Sequence, residues 1–298
     1  MVEPAAPEPA PSVGANGLAV AVDPTEVVGV TPEGDAEVDR GPRGLSPSSA
    51  STFEQCARRW RFRYVERLPD PPGVPALVGT FVHRVLEELM AASPADRTVE
   101  HARTMARQLW PEIDEHPAWL ALELDDDAAR RVRWDAWRLL ESYFRLEDPS
   151  TVEVVEREQR IECDLDGVPF VGIVDLVERR DGQIVVTDYK TGKAPTPRYE
   201  AGRLHQVQLY AAALDATGVR ADSARLLYVR SRSIDVAVTD ESLAAATGSL
   251  RGTWDAIAEA QASDEFPVRT GPLCNWCPYQ DRCPEGRAEV ERRYGPPV

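Results

Sequence analysis

Residues 168–192 read VPFVGIVDLVERRDGQIVVTDYKTG, two runs rich in Val and Ile folded about Asp181-Gly182. Val and Ile suit a pleated, half-buried surface, and Asp-Gly favours a two-residue hairpin turn because both residues must take positive φ. With such a turn, positions paired across the hairpin sum to 363, so Asp175 and Asp188 face each other. Lys190, two residues on, shares their face, along with Ile173, Val177, Ile184 and Val186. Two carboxylates opposed among apolar neighbours repel and are poorly solvated unless a cation neutralises them. Paired acids beside an ammonium can hold Mg2+ or Mn2+ for attack on a phosphodiester, the lysine orienting the nucleophile or offsetting charge. The spacing alone equally allows a solvated strand face with an Asp–Lys pair.

Working outward, residues 151–163 read as a strand joined to residues 168–179 by Asp166-Gly167, and residues 183–190 complete a three-strand meander. A helix over 203–216, a strand over 224–230, a short strand near 234–238 and a helix over 241–261 follow. The N-terminal half is helical. Ser46 caps and Pro47 opens a helix that continues through Cys56-Ala-Arg-Arg-Trp-Arg-Phe-Arg-Tyr64. Pro69 to Pro75 break it, a helix over 77–92 carries an apolar stripe from Val78 to Leu89, and amphipathic helices cover 97–110 and 126–147. This order predicts an α/β fold, a mixed sheet flanked by helices with a helical insertion.

The 298 residues are 43% hydrophobic and 28% charged, enough for a folded core, and no apolar run approaches a membrane span. Met1 to Pro11 holds Glu3 and Glu8 without a basic residue, so no secretory signal is expected and the cytoplasm is the default. Net charge is -16, which argues against a simple electrostatic nucleic-acid binder and leaves any grip to local patches. Residues 1–44 are rich in Pro, Ala and Gly and contribute -6; they read as a disordered acidic tail ahead of one domain over 45–298. The densest basic run is Arg58 to Arg67, where Arg59, Arg61 and Arg63 could neutralise phosphates while Trp60, Phe62 and Tyr64 stack bases. The same run is equally consistent with Trp60 and Tyr64 packing inward beneath solvated arginines.

An odd count of five cysteines without a signal peptide points to metal or catalysis rather than disulfides. Cys274, Cys277 and Cys283 form a C-x2-C-x5-C array, and a closed soft-metal site needs a fourth thiolate, for which Cys56 is the candidate. Ligand chemistry leaves a four-thiolate zinc site and a 4Fe–4S cluster both open. Cys163 reads as a small buried hydrophobe on a strand.

Gly172-Ile-Val-Asp175, Asp188-Tyr-Lys-Thr-Gly192, Gln206-Val-Gln-Leu-Tyr210 and, upstream, Gly79-Thr-Phe-Val-His83 together resemble the RecB branch of the PD-(D/E)xK nucleases. The likeness runs from about Leu45 to Cys283, with Val174 where Pro often precedes the first acid. The one-plus-three cysteines resemble the iron–sulfur staple of AddB-type nucleases, exonuclease V and the CRISPR-associated adaptation nucleases. The resemblance implies a restriction-endonuclease-like fold with iron–sulfur-stapled termini. It implies His83, Asp175, Asp188 and the Tyr189 carbonyl as ligands of Mg2+ or Mn2+, and Lys190 as the catalytic lysine. Gln206 and Tyr210 would line the site, and a 4Fe–4S cluster would sit on Cys56, Cys274, Cys277 and Cys283. The implied activity is exonucleolytic cleavage of single-stranded DNA or DNA ends in repair.

Spacing is compatible with this. Gly79, His83 and Glu87 fall on one helical stripe, Gly79 permitting close approach to the sheet, and Gln206 and Tyr210 share a helix face. Taken alone, His83 reads as a core or surface histidine, and Glu87 as a solvated acid or an outer support. No phosphate-binding loop is present: Thr191-Gly192-Lys193 has Thr187 where Gly is required and Ala194 where Ser or Thr is required. The chain is therefore expected to act alone or beside a separate helicase. A non-cleaving iron–sulfur DNA-binding module and an RNA-directed nuclease are the competing readings.

Overall fold

The computed structural model describes residues 42–295, so the tail expected over 1–44 lies, up to residue 41, outside the described residues. The chain opens with α1 (Pro47–Gln55) and α2 (Ala57–Trp60), followed by a π-helical turn over Arg61–Val65. Next come α3 (Val74–Ala91), α4 (Val99–Asp114), α5 (Pro117–Leu120) and α6 (Asp126–Leu146). The meander β1 (Glu153–Leu165), β2 (Val168–Arg180) and β3 (Gln183–Lys190) precedes α7 (Glu200–Ala216). The chain then forms β4 (Ser223–Tyr228), β5 (Arg232–Ala237), α8 (Asp240–Ser263) and α9 (Pro284–Tyr294).

Ser46 caps α1 as expected, its hydroxyl accepting from the Ser49 amide at 3.1 Å. The expected continuous helix from Ser46 through Tyr64 is corrected: it breaks at Cys56, whose backbone is extended at φ -166 and ψ 110. Cys56 ends α1 and begins α2. Pro75 also departs from expectation, for it lies in the first turn of α3 and opens that helix instead of ending its predecessor. The helix α9 was not foreseen, because mostly charged residues give it little apolar periodicity.

The five strands lie in the order β1-β2-β3-β4-β5, antiparallel except for β3 and β4, which are parallel and joined through α7. Asp181 and Gly182 take φ of 50 and 80, so the two-residue turn forms, and pairs from Arg180↔Gln183 to Leu176↔Thr187 follow the expected register. The result is the mixed sheet flanked by helices that the sequence predicts.

Strand alternation divides the core. One face packs Trp60, Val177, Val186, Leu209, Leu226 and Leu250 between the sheet and α1, α2, α7 and α8. The other packs Leu176, Tyr189 and Leu227 against α3, α4 and α6 through Leu86, Leu89 and Tyr143. Each such buried side chain contributes roughly 1.5–3 kcal/mol. Tyr189 belongs to the second face, so its neighbours Asp188 and Lys190 turn toward α7. Arg97 ties the helical insertion to the sheet by donating to the Met90, Ala92, Pro149 and Val152 carbonyls. Among the described residues no helix is long and apolar enough to cross a membrane.

Candidate active site and cysteine cavity

The β2–β3 ladder ends at Leu176↔Thr187, one step before the two aspartates. There the strands part, and the Asp175 carboxylate accepts the Tyr189 backbone N–H at 2.7 Å in place of a ladder partner. Its other oxygen lies 3.3 Å from His83 Nδ1. A β-carbon on Gly79 would meet Thr191 Oγ1 at 3.3 Å, so α3 crosses tightly over the end of β3 and carries His83 in.

Asp188 is 3% exposed. Lys190 Nζ sits 2.7 Å from its Oδ2 as an ion pair. The lysine donates to Gln206 Oε1 at 2.8 Å, and Gln206 Nε2 donates to the Tyr210 hydroxyl at 3.0 Å. Gly172 makes room for Tyr210, since a β-carbon there would stand 2.8 Å from its ring. Thus His83, Asp175, Asp188, Tyr189, Lys190, Gln206 and Tyr210 gather where β2 and β3 diverge, beside the C-terminal end of β3. Open α/β sheets commonly bind ligands at such strand ends. Glu87 stays outside the group, paired with Arg84 at 2.8 Å.

Sequence reasoning missed Glu158. Ligand atoms of His83, Glu158 and Asp175 all lie within 4.8 Å of one another. Pairs on either side, Arg157↔Leu176 and Gln159↔Val174, place Glu158 opposite Asp175. The signal was present in Asp166-Gly167: the register sum applied to the second hairpin leads equally to this first one. Glu158 adopts φ 44 within its strand, a left-handed conformation costing a β-carbon-bearing residue about 1–2 kcal/mol. No residue type announces it.

The electrostatics show what the site lacks. Burial depresses the basicity of His83, but the Asp175 carboxylate against it prevails and lifts its pKa to about 9. Burial would raise Asp175, yet His83, the Tyr189 amide and Lys190 hold it below the usual range. Burial and the Asp175 charge push Glu158 up to about 8. Asp188 rises to about 6, burial outweighing the pull of Lys190. A protonated His83 therefore neutralises acids that a dication could neutralise better. One imidazole and several carboxylate oxygens suit Mn2+ or Mg2+, the ligand atoms of His83, Glu158 and Asp175 already lying together.

At the chain ends Cys56, Cys274, Cys277 and Cys283 line one apolar cavity of about 230 Å³ with Phe62 and Val268. The Gly286 amide donates to Cys283 Sγ at 3.3 Å as Cys283 caps α9. Burial raises the pKa of the Cys277 and Cys283 thiols. Cys163 lies apart, partly buried against the sheet core. All five cysteines are free.

Trp60 is fully buried and Tyr64 nearly so, as the inward-packing reading of the arginine run requires. Arg63 and Arg59 lie 2.9 and 3.6 Å from Asp70. Arg61 pairs with Glu66 at 2.9 Å and Asp264 at 3.0 Å.

A family model described as the PD-(D/E)XK nuclease superfamily matches residues 44–284. No curated protein matches the sequence. Among solved structures, the "Putative exonuclease" from Eubacterium rectale is similar at a TM-score of 0.50 and 16% identity, over 78% of this chain and 86% of that one. The structure of SSO0001 aligns at a TM-score of 0.31 and 15% identity, over 70% of this chain and 94% of that one. At these identities the first likeness bears on the fold alone.

Proposed function

The chain belongs to the PD-(D/E)XK nuclease superfamily, and from that membership we propose a Mg2+- or Mn2+-dependent deoxyribonuclease of the RecB branch. Its substrate would be single-stranded DNA or DNA ends, cut exonucleolytically in repair or processing. The observation that carries the reading is Lys190, held between Asp188 and Gln206 in the same locus as the His83–Asp175 pair.

His83, Asp175, Asp188 and the Tyr189 carbonyl would hold the metal, with Glu158 as a further oxygen donor. When bound, the dication would supply Lewis-acid stabilisation of the phosphate and a more acidic water. To admit it, His83 must release its proton and Glu158 and Asp188 must ionise. Burial works against the Lys190 charge, but Asp188 beside it raises the lysine pKa, so the ammonium persists at neutral pH. Lys190 would act as a donor and cation, orienting the nucleophile or offsetting charge. Gln206 and Tyr210 hold the lysine in place from α7.

A 4Fe–4S cluster on Cys56, Cys274, Cys277 and Cys283 would staple the two ends of a single domain over 45–298. The preference for a cluster over a lone zinc rests on the resemblance of the one-plus-three cysteines to those of the iron–sulfur nucleases. Arg59, Arg61 and Arg63 beside it would contact DNA by exchanging carboxylate partners for phosphates. A separate helicase would supply unwinding where duplex must be opened.

The test is to incubate anaerobically prepared protein with end-labelled single- and double-stranded DNA in Mn2+, Mg2+ or EDTA. Metal-dependent shortening of single strands is expected. Intact DNA of both forms with either metal overturns the reading.

A further inference from the structure

The helical insertion carries a groove that the chemistry above leaves unused. On α4, Arg103, Ala106, Arg107 and Trp110 recur at i, i+3, i+4 and i+7, and on α6 Arg130, Arg133, Trp134 and Trp137 do the same. These spacings put each set on one helical stripe, where a globular helix would ordinarily place Leu and Val for burial. Together the stripes line one open cavity of about 770 Å³, floored by Phe81. Among the described residues no carboxylate lines it, although the chain as a whole has a net charge of -16.

The side chains are arranged for planar ligands. The Arg103 guanidinium lies 4.8 Å above the Trp137 ring, and that of Arg133 5.6 Å above the Trp110 ring. Glu141 at 3.5 Å and Asp114 at 2.7 Å hold Arg103 and Arg133 in place from outside the cavity. Trp134 is 60% exposed, an unusual position for the largest apolar side chain. Arg107 is exposed as well and makes no ion pair among the described residues.

We propose that this groove binds single-stranded nucleic acid, with phosphates on the arginines and unpaired bases stacked on Trp134. Arginine with exposed tryptophan suits this ligand because every base has a π-face, whereas paired bases in a duplex keep theirs covered. Arg103, Arg130 and Arg133 are paired with Glu141, Asp127 and Asp114 at the rim, so Arg107 carries the groove's uncompensated positive charge among the described residues and favours an anionic ligand. Its place on the molecule gives it a second meaning, which rests on the nuclease reading. Phe81 and His83 project from α3 about 200° apart, so groove and metal site lie on opposite sides of one helix of about 10 Å diameter. A strand anchored in the groove leaves the site uncovered and could pass round the helix into it.

The experiment measures binding, not cleavage. Fluorescence anisotropy of a labelled oligo(dT) of about 20 nucleotides in EDTA compares the full-length protein with Trp134→Ala and Arg107→Glu. Both residues are exposed, so either variant should fold, and circular dichroism verifies it. Each is expected to weaken affinity by about tenfold or more, and Arg107→Glu should flatten the log–log salt slope by about 0.7 or more. Duplex of the same length should compete poorly. Unchanged affinity and slope in both folded variants overturn the proposal. So does equal competition by poly-glutamate, which would assign the groove to an acidic protein partner. If oligo(dT) binds through the groove yet wild-type protein cuts nothing in Mn2+, the groove stands and the nuclease reading alone falls.

Discussion

The locus where β2 and β3 part and the cavity at the chain ends are both candidate metal-binding regions, built from contrasting materials. The first is crowded with charge: His83 neutralises Asp175, Lys190 neutralises Asp188, and Gln206 completes the lysine's hydrogen bonds. It is held by a hairpin and two helices whatever occupies it. The second is apolar, assembled from residues over 200 positions apart, and burial raises the pKa of the Cys277 and Cys283 thiols within it. Its walls are joined mainly by bonds to backbone carbonyls, from Arg58 to Phe266 at 3.0 Å, from Arg269 to Glu54 at 2.7 Å and from the Tyr279 hydroxyl to Leu68 at 3.2 Å. The difference teaches that the first region can preserve its shape without a metal, whereas the second is where the proposed cluster would add most to the ties between distant segments. Closing so long a loop is where a cross-link stabilises most.

The largest expected effect separates activity from folding. Asp188→Asn should lower cleavage by about 10³-fold or more while the melting temperature and any iron–sulfur absorbance stay near wild type. A collapse of the fold in this variant would show that the two regions are not independent.

Next comes the converse. Cys274→Ser or Cys56→Ala should bleach a brown, anaerobically prepared protein and lower its melting temperature by about 10 °C or more. Cys163→Ser should do neither. Colourless wild-type protein with stoichiometric zinc would replace the cluster but keep the staple. Wild-type melting in Cys274→Ser would remove the staple altogether.

Glu158→Gln sharpens the account of the charged region. Manganese affinity measured by calorimetry should fall about tenfold if this carboxylate contributes an oxygen. Without metal the same variant should melt higher than wild type at alkaline pH. The folded pKa of Glu158 is raised from 4.5 to about 8, so its ionisation works against folding progressively between those values and fully above the upper one. Equal manganese affinity in both proteins would place Glu158 outside the ligand set.

The smallest effect is a pH trend. His83 has a folded pKa raised from 6.5 to about 9, so its stabilisation is complete below 6.5 and disappears as pH rises through about 9. Glu158 adds a loss in the same direction. Metal-free protein should therefore weaken from about pH 6 to pH 9, and the melting-temperature rise caused by Mn2+ should grow over that window. A manganese shift that is flat with pH would mean these groups do not release protons to the metal.

Much of this was legible in the sequence itself. Asp181-Gly182 announced its turn because few other pairs accept two positive φ angles, and the register as far as Leu176↔Thr187 followed by counting, although the strands part before the expected pairing of Asp175 with Asp188. Gly79 marked a close approach to the sheet, which the structure meets at Thr191, whereas the room that Gly172 leaves for Tyr210 was not read from the sequence. Glu158 escaped because a left-handed residue bearing a side chain has no compositional signature, although counting from Asp166-Gly167 would have reached it. The interruption of the first helix at Cys56 escaped because neither Pro nor Gly stands there. The groove escaped because Arg and Trp at helical spacing read as an amphipathic stripe, and only the facing of α4 and α6 turns two stripes into one surface.

The central claim is that the charged region is a metal-dependent cleavage site whose lysine does chemistry and does not merely fill space. It is tested most directly by measuring oligonucleotide cleavage and Mn2+ binding together, across one titration, in wild-type protein and in Lys190→Ala. The account predicts that wild-type cleavage rises and saturates with metal occupancy and vanishes in EDTA, while Lys190→Ala still binds Mn2+ but cuts at least about 10³-fold more slowly. Wild-type cleavage rates in Lys190→Ala, or cleavage that persists in EDTA, would contradict it.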